Sequence, residues 1–320
     1  MSLQPYSVDM VPEAMWRIQP YIRRTILDQS IHYGQRYGAD VYFKCENLQH
    51  TGSFKVRGAF NKILSLTELE RSRGIVTAST GNHGAACGFA MRQIGVDGIV
   101  FVPEITIETK LAAIRKLGVK IRTYGTDSVE AERHAREFAN ANDMVYISPY
   151  NDPFIVGGQG TIGMELLQQL PTVDAVFVSV GGGGLIGGIG SYIKSQAPHV
   201  QIFGCSPANS QVMAESVRAG AILDLPSLPT LSDGTAGGVE AGSITFPLCQ
   251  DYVDQYISVS EDEIIASLRE FIGAQHQLIE GSAAVAIAAF LRIAKQLKNA
   301  EVAVVLCGAN ISLETLRDIL

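Results

Sequence analysis

Eight short runs rich in β-branched and aromatic residues recur along the chain, and helical patterns fill the segments between them. The runs are VYFKCE (41–46), GIVTAS (74–79), GIVFVP (98–103), KIRTYG (120–125), MVYISP (144–149), AVFVSV (175–180), QIFGCS (201–206) and VAVVLC (302–307). Several are almost continuously apolar. A strand with one wet face alternates in polarity, so these runs read as strands covered on both faces. Between them, Ser260 with Glu263 spells a capping box, and Ile264, Leu268, Phe271 and Ile272 form an apolar stripe behind it. Thr67 with Glu70 is a second capping box, and Gly74 closes that helix before the next strand. This strand–helix alternation predicts an α/β fold with mostly parallel sheets and right-handed crossovers. With 320 residues, one large unit and a smaller one are expected.

In open α/β sheets ligands gather at the carboxyl ends of strands, and the unusual residues of this chain fall there. GNHG follows the run at 74–79, GGGG follows 175–180, and GAN follows 302–307. The glycine segment, GGGGLIGGIG (181–190), leads from strand into helix. Without side chains the backbone N–H groups can approach an anion closely, and the helix N-terminus adds its dipole. Gly182, Gly184 and Gly187 also spell G-x-G-x-x-G, the dinucleotide pattern of an NAD-dependent oxidoreductase. That reading needs an acidic residue about twenty positions on to hold the ribose. The next strand ends in Cys205-Ser206-Pro207, with no acid. A single terminal phosphate therefore fits the glycines better than a pyrophosphate.

A polar loop at 49–52 runs into Ser53-Phe54-Lys55 and then a helical pattern of Ala59, Ile63 and Leu64. Lys55 falls in the first turn of that helix, where the macrodipole disfavours a cation. A lysine so placed, beside aromatic Phe54, is a candidate for a depressed pKa and Schiff-base chemistry, although most lysines are simply solvated.

Composition narrows the classes. Hydrophobic residues make up 47% and charged residues 18%, which suits a globular chain. The net charge of −7, with no Lys/Arg run, leaves no electrostatic footprint for nucleic acid or an anionic membrane. No apolar stretch approaches the ~18–20 residues of a membrane span. Residues 1–12 lack a basic patch followed by an apolar run, so no secretory signal is expected. Five scattered cysteines without C-x-x-C imply reduced thiols and a cytoplasmic location. The six histidines show no metal-ligand spacing.

SFKVRGA (53–59) resembles the lysine motif of fold-type II pyridoxal-5′-phosphate (PLP) enzymes, in particular the threonine/serine dehydratase and serine racemase family. Three further segments agree in order: Ser79-Thr80-Gly81-Asn82-His83-Gly84 with the S-x-G-N-H loop, Gly181 to Leu185 with the tetraglycine loop, and Cys307-Gly308-Ala309-Asn310 with the C-terminal [SC]-G-G-N segment. The resemblance implies two open twisted, mostly parallel sheets flanked by helices. It implies a large PLP-binding domain of residues 1–70 and 154–320, with a small mobile domain, 71–153, inserted in it. It also implies a homodimer.

Carried over by residue, Lys55 would bind the cofactor aldehyde and later move the Cα proton. Phe54 would pack beside the ring and Asn82 would bond its 3-oxygen. Gly181, Gly182, Gly183, Gly184 and Leu185 would bind the phosphate, and Cys307 would face the ring nitrogen. Ser79, Thr80, Asn82 and His83 would hold the substrate carboxylate. Thr80 stands where serine racemases carry a second acid/base hydroxyl. A thiol at the ring nitrogen is a weak donor, which favours rapid β-elimination over a long-lived carbanion. The expected activity is a dehydratase, or ammonia-lyase, acting on a small 3-hydroxy amino acid. An amino-acid racemase is the alternative, and a non-catalytic small-ligand binding protein the remaining one.

Two departures from the family pattern stand out. The segment Ser206-Pro207-Ala208-Asn209-Ser210-Gln211 lacks the glutamate that begins a divalent-cation site in many relatives, so no metal is expected. Gly281 follows Glu280 where relatives often have proline, and Ala309 replaces a usual glycine.

Overall fold

The structure is a computed structural model that describes residues 5–106 and 108–320. The first four residues of the segment read against a secretory signal lie outside the described residues. Strands β1 (Leu27–Gln29), β2 (Asp40–Lys44), β10 (Glu301–Val305), β7 (Ala175–Ser179), β8 (Gln201–Pro207) and β9 (Gln255–Val259) form a six-stranded sheet in the order β1-β2-β10-β7-β8-β9. Only β1 runs antiparallel to its neighbour. Strands β3 (Ile75–Ala78), β4 (Gly98–Val102), β5 (Lys120–Thr123) and β6 (Val145–Tyr146) form a parallel four-stranded sheet in the order β5-β4-β3-β6. The fold is α/β with two mostly parallel sheets, as the alternation of runs and helical patterns predicts.

All eight runs became strands. β1 and β9 have no counterpart among the runs, and the reason is physical. Both are edge strands, and their residues alternate or stay half-exposed instead of being covered on both sides. The run at 144–149 shrinks to the two-residue β6, because Pro149 has no N–H to continue a ladder. Both capping boxes form as read. Behind Ser260, Ile264, Leu268 and Phe271 are fully buried.

The largest apolar core lies on the six-stranded sheet. Phe177 and Phe203 stack at 4.6 Å between ring centroids, and the Gly281–Ile293 helix, apolar nearly all round, is buried against them. Two smaller clusters cover the faces of the four-stranded sheet.

One helix fixes the relation between the two segments of greatest chemical interest. The Pro153–Gln169 helix packs against the Lys55–Ser65 helix on one side and the Gly184–Gln196 helix on the other. Both contacts are glycine on glycine. A Cβ on Gly158 would lie 2.6 Å from the Gly58 Cα, and one on Gly188 would lie 2.4 Å from the Val156 carbonyl oxygen. Such backbone-to-backbone approach sets the spacing of the three helices with little play.

Under the Lys55–Ser65 helix lies a wholly buried ionic cluster. The Arg57 guanidinium donates from Nε to Glu46 Oε2 at 2.8 Å and from Nη1 to Glu165 Oε1 at 2.8 Å, while Lys44 Nζ donates to Glu165 Oε2 at 2.6 Å. Two cations face two carboxylates, so no net charge is stranded.

Candidate active site

The carboxyl ends of β3, β7 and β10 open into one cavity of about 1220 Å³. Phe54, Lys55, Ser79, Thr80, Asn82, His83, the four consecutive glycines, Leu185 and Cys307 all line it. Every residue singled out from the sequence is therefore brought to one place.

Lys55 is the first residue of its helix. Just before it, Ser53 is extended and pairs with Gly308; the Phe54 N–H donates to the Cys307 carbonyl at 3.1 Å, and the Ala309 N–H donates to the Gly52 carbonyl at 2.8 Å. The loop is thus sewn to the end of β10. Lys55 Nζ donates to the Pro149 carbonyl at 3.0 Å and lies 5.2 Å from the centre of the Phe54 ring. Burial pushes its pKa down to about 8, and the nearby Cys87, Cys307 and Glu280 offset part of that shift. The depressed lysine expected from the sequence is present; its leading cause is desolvation, whereas the sequence pointed to the helix dipole.

The glycine segment ends β7 and starts the Gly184–Gln196 helix. Gly183 takes φ +82°, a conformation costly for other residues, and the helix that starts after it leaves its first N–H groups unpaired beside the cavity the glycines line. There is no room for side chains: a Cβ on Gly182 would lie 2.5 Å from the Tyr150 ring.

Across the cavity, β3 is followed by Ser79, whose hydroxyl accepts from the Gly81 N–H at 3.1 Å, and the Asn82–Ile94 helix begins. Thr80 is half-buried in the wall between them. His83 is buried, with Nε2 3.3 Å from the Ile147 carbonyl oxygen, and burial together with Lys55 pushes its pKa down to about 3. It is a neutral imidazole.

Four wall residues carry roles that no motif announced. Pro149 orients the Lys55 amine, and Tyr150 closes over the glycines. Glu280 is buried, with its carboxylate 3.0 Å from Asn82 Nδ2 and its pKa raised to about 7 by burial. Gln159 is also buried, and among the described residues neither atom of its amide finds a partner. An acid standing alone before an apolar run (IEGSAAVAIAAF) and a glutamine among glycines (GGQG) were the available signals. Residues 232–240 supply Asp233, Gly234, Thr235 and Glu240 to the wall. Half-buried Arg136 reaches Glu240 there. Among the described residues no group of three or more His, Cys, Asp or Glu side chains is arranged to hold a metal ion, and no helix is long and apolar enough to cross a membrane.

A buried, deprotonatable amine that shares one cavity with a side-chain-free glycine turn suits an aldehyde cofactor with a phosphate tail. The unmet polar demand of Gln159 in the same wall fits such an occupant. The family model described as pyridoxal-phosphate dependent enzyme matches residues 18–308, and the chain belongs to that family. It is 38% identical over 312 residues to an L-threonine ammonia-lyase of Geobacter sulfurreducens, covering 98% of this chain and 77% of that one. It is 34% identical over 317 residues to the catabolic L-threonine dehydratase of Escherichia coli strain K12, covering 98% and 96%. The solved structure of maize serine racemase matches with a TM-score of 0.93 at 31% identity, covering 98% of this chain and 97% of that one.

Proposed function

We propose that this enzyme is an ammonia-lyase that removes the β-hydroxyl and amino groups of a small 3-hydroxy amino acid, L-threonine or L-serine, releasing a 2-keto acid and ammonia. The observation that carries this reading is the buried Lys55 amine in one cavity with the glycine cradle, on a chain similar over nearly its full length to threonine ammonia-lyases.

Bound PLP supplies the electron sink that makes the Cα–H bond of an attached amino acid acidic. The chain supplies the rest. Gly181, Gly182, Gly183, Gly184 and Leu185 would bind the phosphate at the helix N-terminus, Phe54 would pack beside the ring, Asn82 would bond its 3-oxygen, and Cys307 would face its nitrogen. Lys55 Nζ holds the cofactor. As a free amine it would be the group to accept the Cα proton, and the Pro149 carbonyl would aim it. A pKa near 8 lets a useful fraction of this amine be neutral at neutral pH. Ser79, Thr80, Asn82 and His83 receive the substrate carboxylate at the start of the Asn82–Ile94 helix. His83, being neutral, contributes a dipole and shape, not charge.

Residues 71–153 would act as the small domain that closes on the substrate, with the Arg136–Glu240 ion pair and the Asn151–Glu240 hydrogen bond at 2.7 Å among its contacts to the other unit. A homodimer is supported by a patch of exposed Ile26, Leu48 and Leu278. Cys45 N–H donating to the Ile26 carbonyl, and Asn47 to that of Leu278, bring these three together. Five free, buried cysteines support a cytoplasmic setting.

The Thr80 hydroxyl in the cavity wall keeps racemisation as a second reading, which the stiff β-branched side chain disfavours. Release of 2-keto acid from a panel of 3-hydroxy amino acids tests the first. Chiral analysis of residual serine tests the second, since a pure lyase leaves no D-isomer. If no member of the panel yields keto acid, the lyase proposal fails.

A further inference from the structure

Glu280 precedes the Gly281–Ile293 helix without capping it. Its backbone N–H donates to the Gly308 carbonyl at 3.0 Å, and its side chain turns into the cavity wall. The carboxylate accepts from Asn82 Nδ2 at 3.0 and 3.1 Å, from the Asn310 N–H at 3.0 Å, and from the Cys307 thiol at 3.9 Å. Asn310 Nδ2 in turn donates to Asn82 Oδ1 at 2.6 Å, so the Asn82 amide is held at both ends. Gly308 permits the approach, because a Cβ there would lie 2.7 Å from the carboxylate. One buried acid therefore touches both residues that the proposed function sets against the cofactor ring, Asn82 at the 3-oxygen and Cys307 at the nitrogen.

We propose that Glu280 is a positioning residue that directs the single thiol proton of Cys307, and so decides whether the sulfur offers a donor or a lone pair to the ring nitrogen. The ring-nitrogen part rests on the proposed placement of the cofactor. The thiol–carboxylate part does not.

The reasoning is a proton count. A thiol has one hydrogen. With Glu280 ionised, that hydrogen points at Oε1 and the sulfur turns a lone pair to the cavity. With Glu280 protonated, its own O–H donates to the sulfur, and the thiol hydrogen is free to point into the cavity. The proton exchanged is Glu280's, lost to or taken from water, and no other bond changes. The charged groups facing Glu280 are Asp233 from the 232–240 loop, which raises its pKa, and Lys55 from its helix, which lowers it. Asn82 and the Asn310 N–H stabilise the anion, while burial opposes it more strongly. The result is a carboxyl poised near neutral pH. A bare thiol, read from sequence as a fixed weak donor, becomes a switchable one.

Infrared difference spectra of the protein, with and without PLP, test this. The S–H stretch of Cys307 is identified as the band missing in Cys307→Ala. In wild type it should shift with a midpoint of about pH 7; in Glu280→Gln it should stay fixed; in Lys55→Ala it should still shift. An S–H band that ignores pH between 6 and 8 (about one unit either side of that midpoint) overturns the proposal. So does a shift unchanged in Glu280→Gln. If Glu280→Gln does not fold, the Glu280 carboxyl stretch in wild type and in Cys307→Ala decides. A carboxyl midpoint that matches the S–H midpoint supports the link, and one that differs overturns it. With PLP bound, the visible absorbance should follow the same midpoint and lose it in Cys307→Ala. Failure to bind PLP would sink the cofactor placement while the S–H result stands by itself.

Discussion

The Lys55 amine donates to the carbonyl of Pro149 at 3.0 Å, a contact between the first turn of one helix and the loop that follows β6. The carbonyl accepts from the amine whether or not Nζ carries its extra proton, so it aims the group without fixing its charge.

Replacing that amine should therefore remove cofactor attachment and chemistry together. Lys55→Ala and Lys55→Arg should both lose the visible absorbance of bound cofactor, and turnover should drop by about 100- to 10,000-fold or more. Added small primary amines should partly rescue the alanine variant only. Absorbance titration with PLP and single-turnover keto-acid release read the outcome.

The released amine, with a pKa near 8, should impose an acid limb on kcat. The group is free only once substrate is bound, so the limb belongs in kcat, which reports the bound complex. Turnover should rise as pH increases through about 8 and then level off. A pH profile of kcat from 6 to 10 (about two units either side) checks it.

The glycine cradle should tolerate no side chain. Gly182→Ala would place a Cβ 2.5 Å from the Tyr150 ring. Overpacking of this kind costs about 1–3 kcal/mol. The variant should show a lower denaturant midpoint and weaker PLP binding, and Tyr150→Ala should restore part of both.

The ionic cluster beneath Lys55 should behave as a unit. Arg57→Leu leaves Glu46 and half of Glu165 without a cation in the interior, a loss of about 3–5 kcal/mol. Combining it with Glu46→Gln should recover a large share of the loss. Urea unfolding of the single and double variants measures this.

His83 should weaken the fold in acid. Its pKa falls from 6.5 to about 3 on folding. Across that window the unfolded chain binds a proton that the folded imidazole refuses, so stability is fully present above 6.5 and declines as pH drops toward 3. In His83→Asn that contribution is absent. The wild-type-minus-variant difference in unfolding free energy should shrink steadily as pH is lowered through the window.

The strands buried on both faces were legible because burial writes itself as continuous apolar sequence; β7 and β10 show this. β9 was not, because an edge strand such as Gln255–Val259 needs only part of its surface apolar. Asn82, the glycines and Cys307 stood out because they lie at or just past strand ends and Lys55 because it opens a helix, and their roles came from the resemblance of those segments to the family's motifs. Glu280 and Gln159 were not recognised because their meaning is relational. Nothing adjacent to Glu280 in sequence reveals that Asn82 and Asn310, from distant parts of the chain, converge on it. The cause of the Lys55 shift was hidden for the same reason, since desolvation is a property of the assembled cavity.

The pairing of Ser53 with Gly308, and of Phe54 with Cys307, ties the start of the Lys55 helix to a segment near the chain's far end. The chain through β10 must therefore be made before the amine has its final surroundings. A nascent or prematurely terminated chain lacking β10 offers an aldehyde only an ordinary, solvated lysine. Cofactor capture would in this way wait on the arrival of β10.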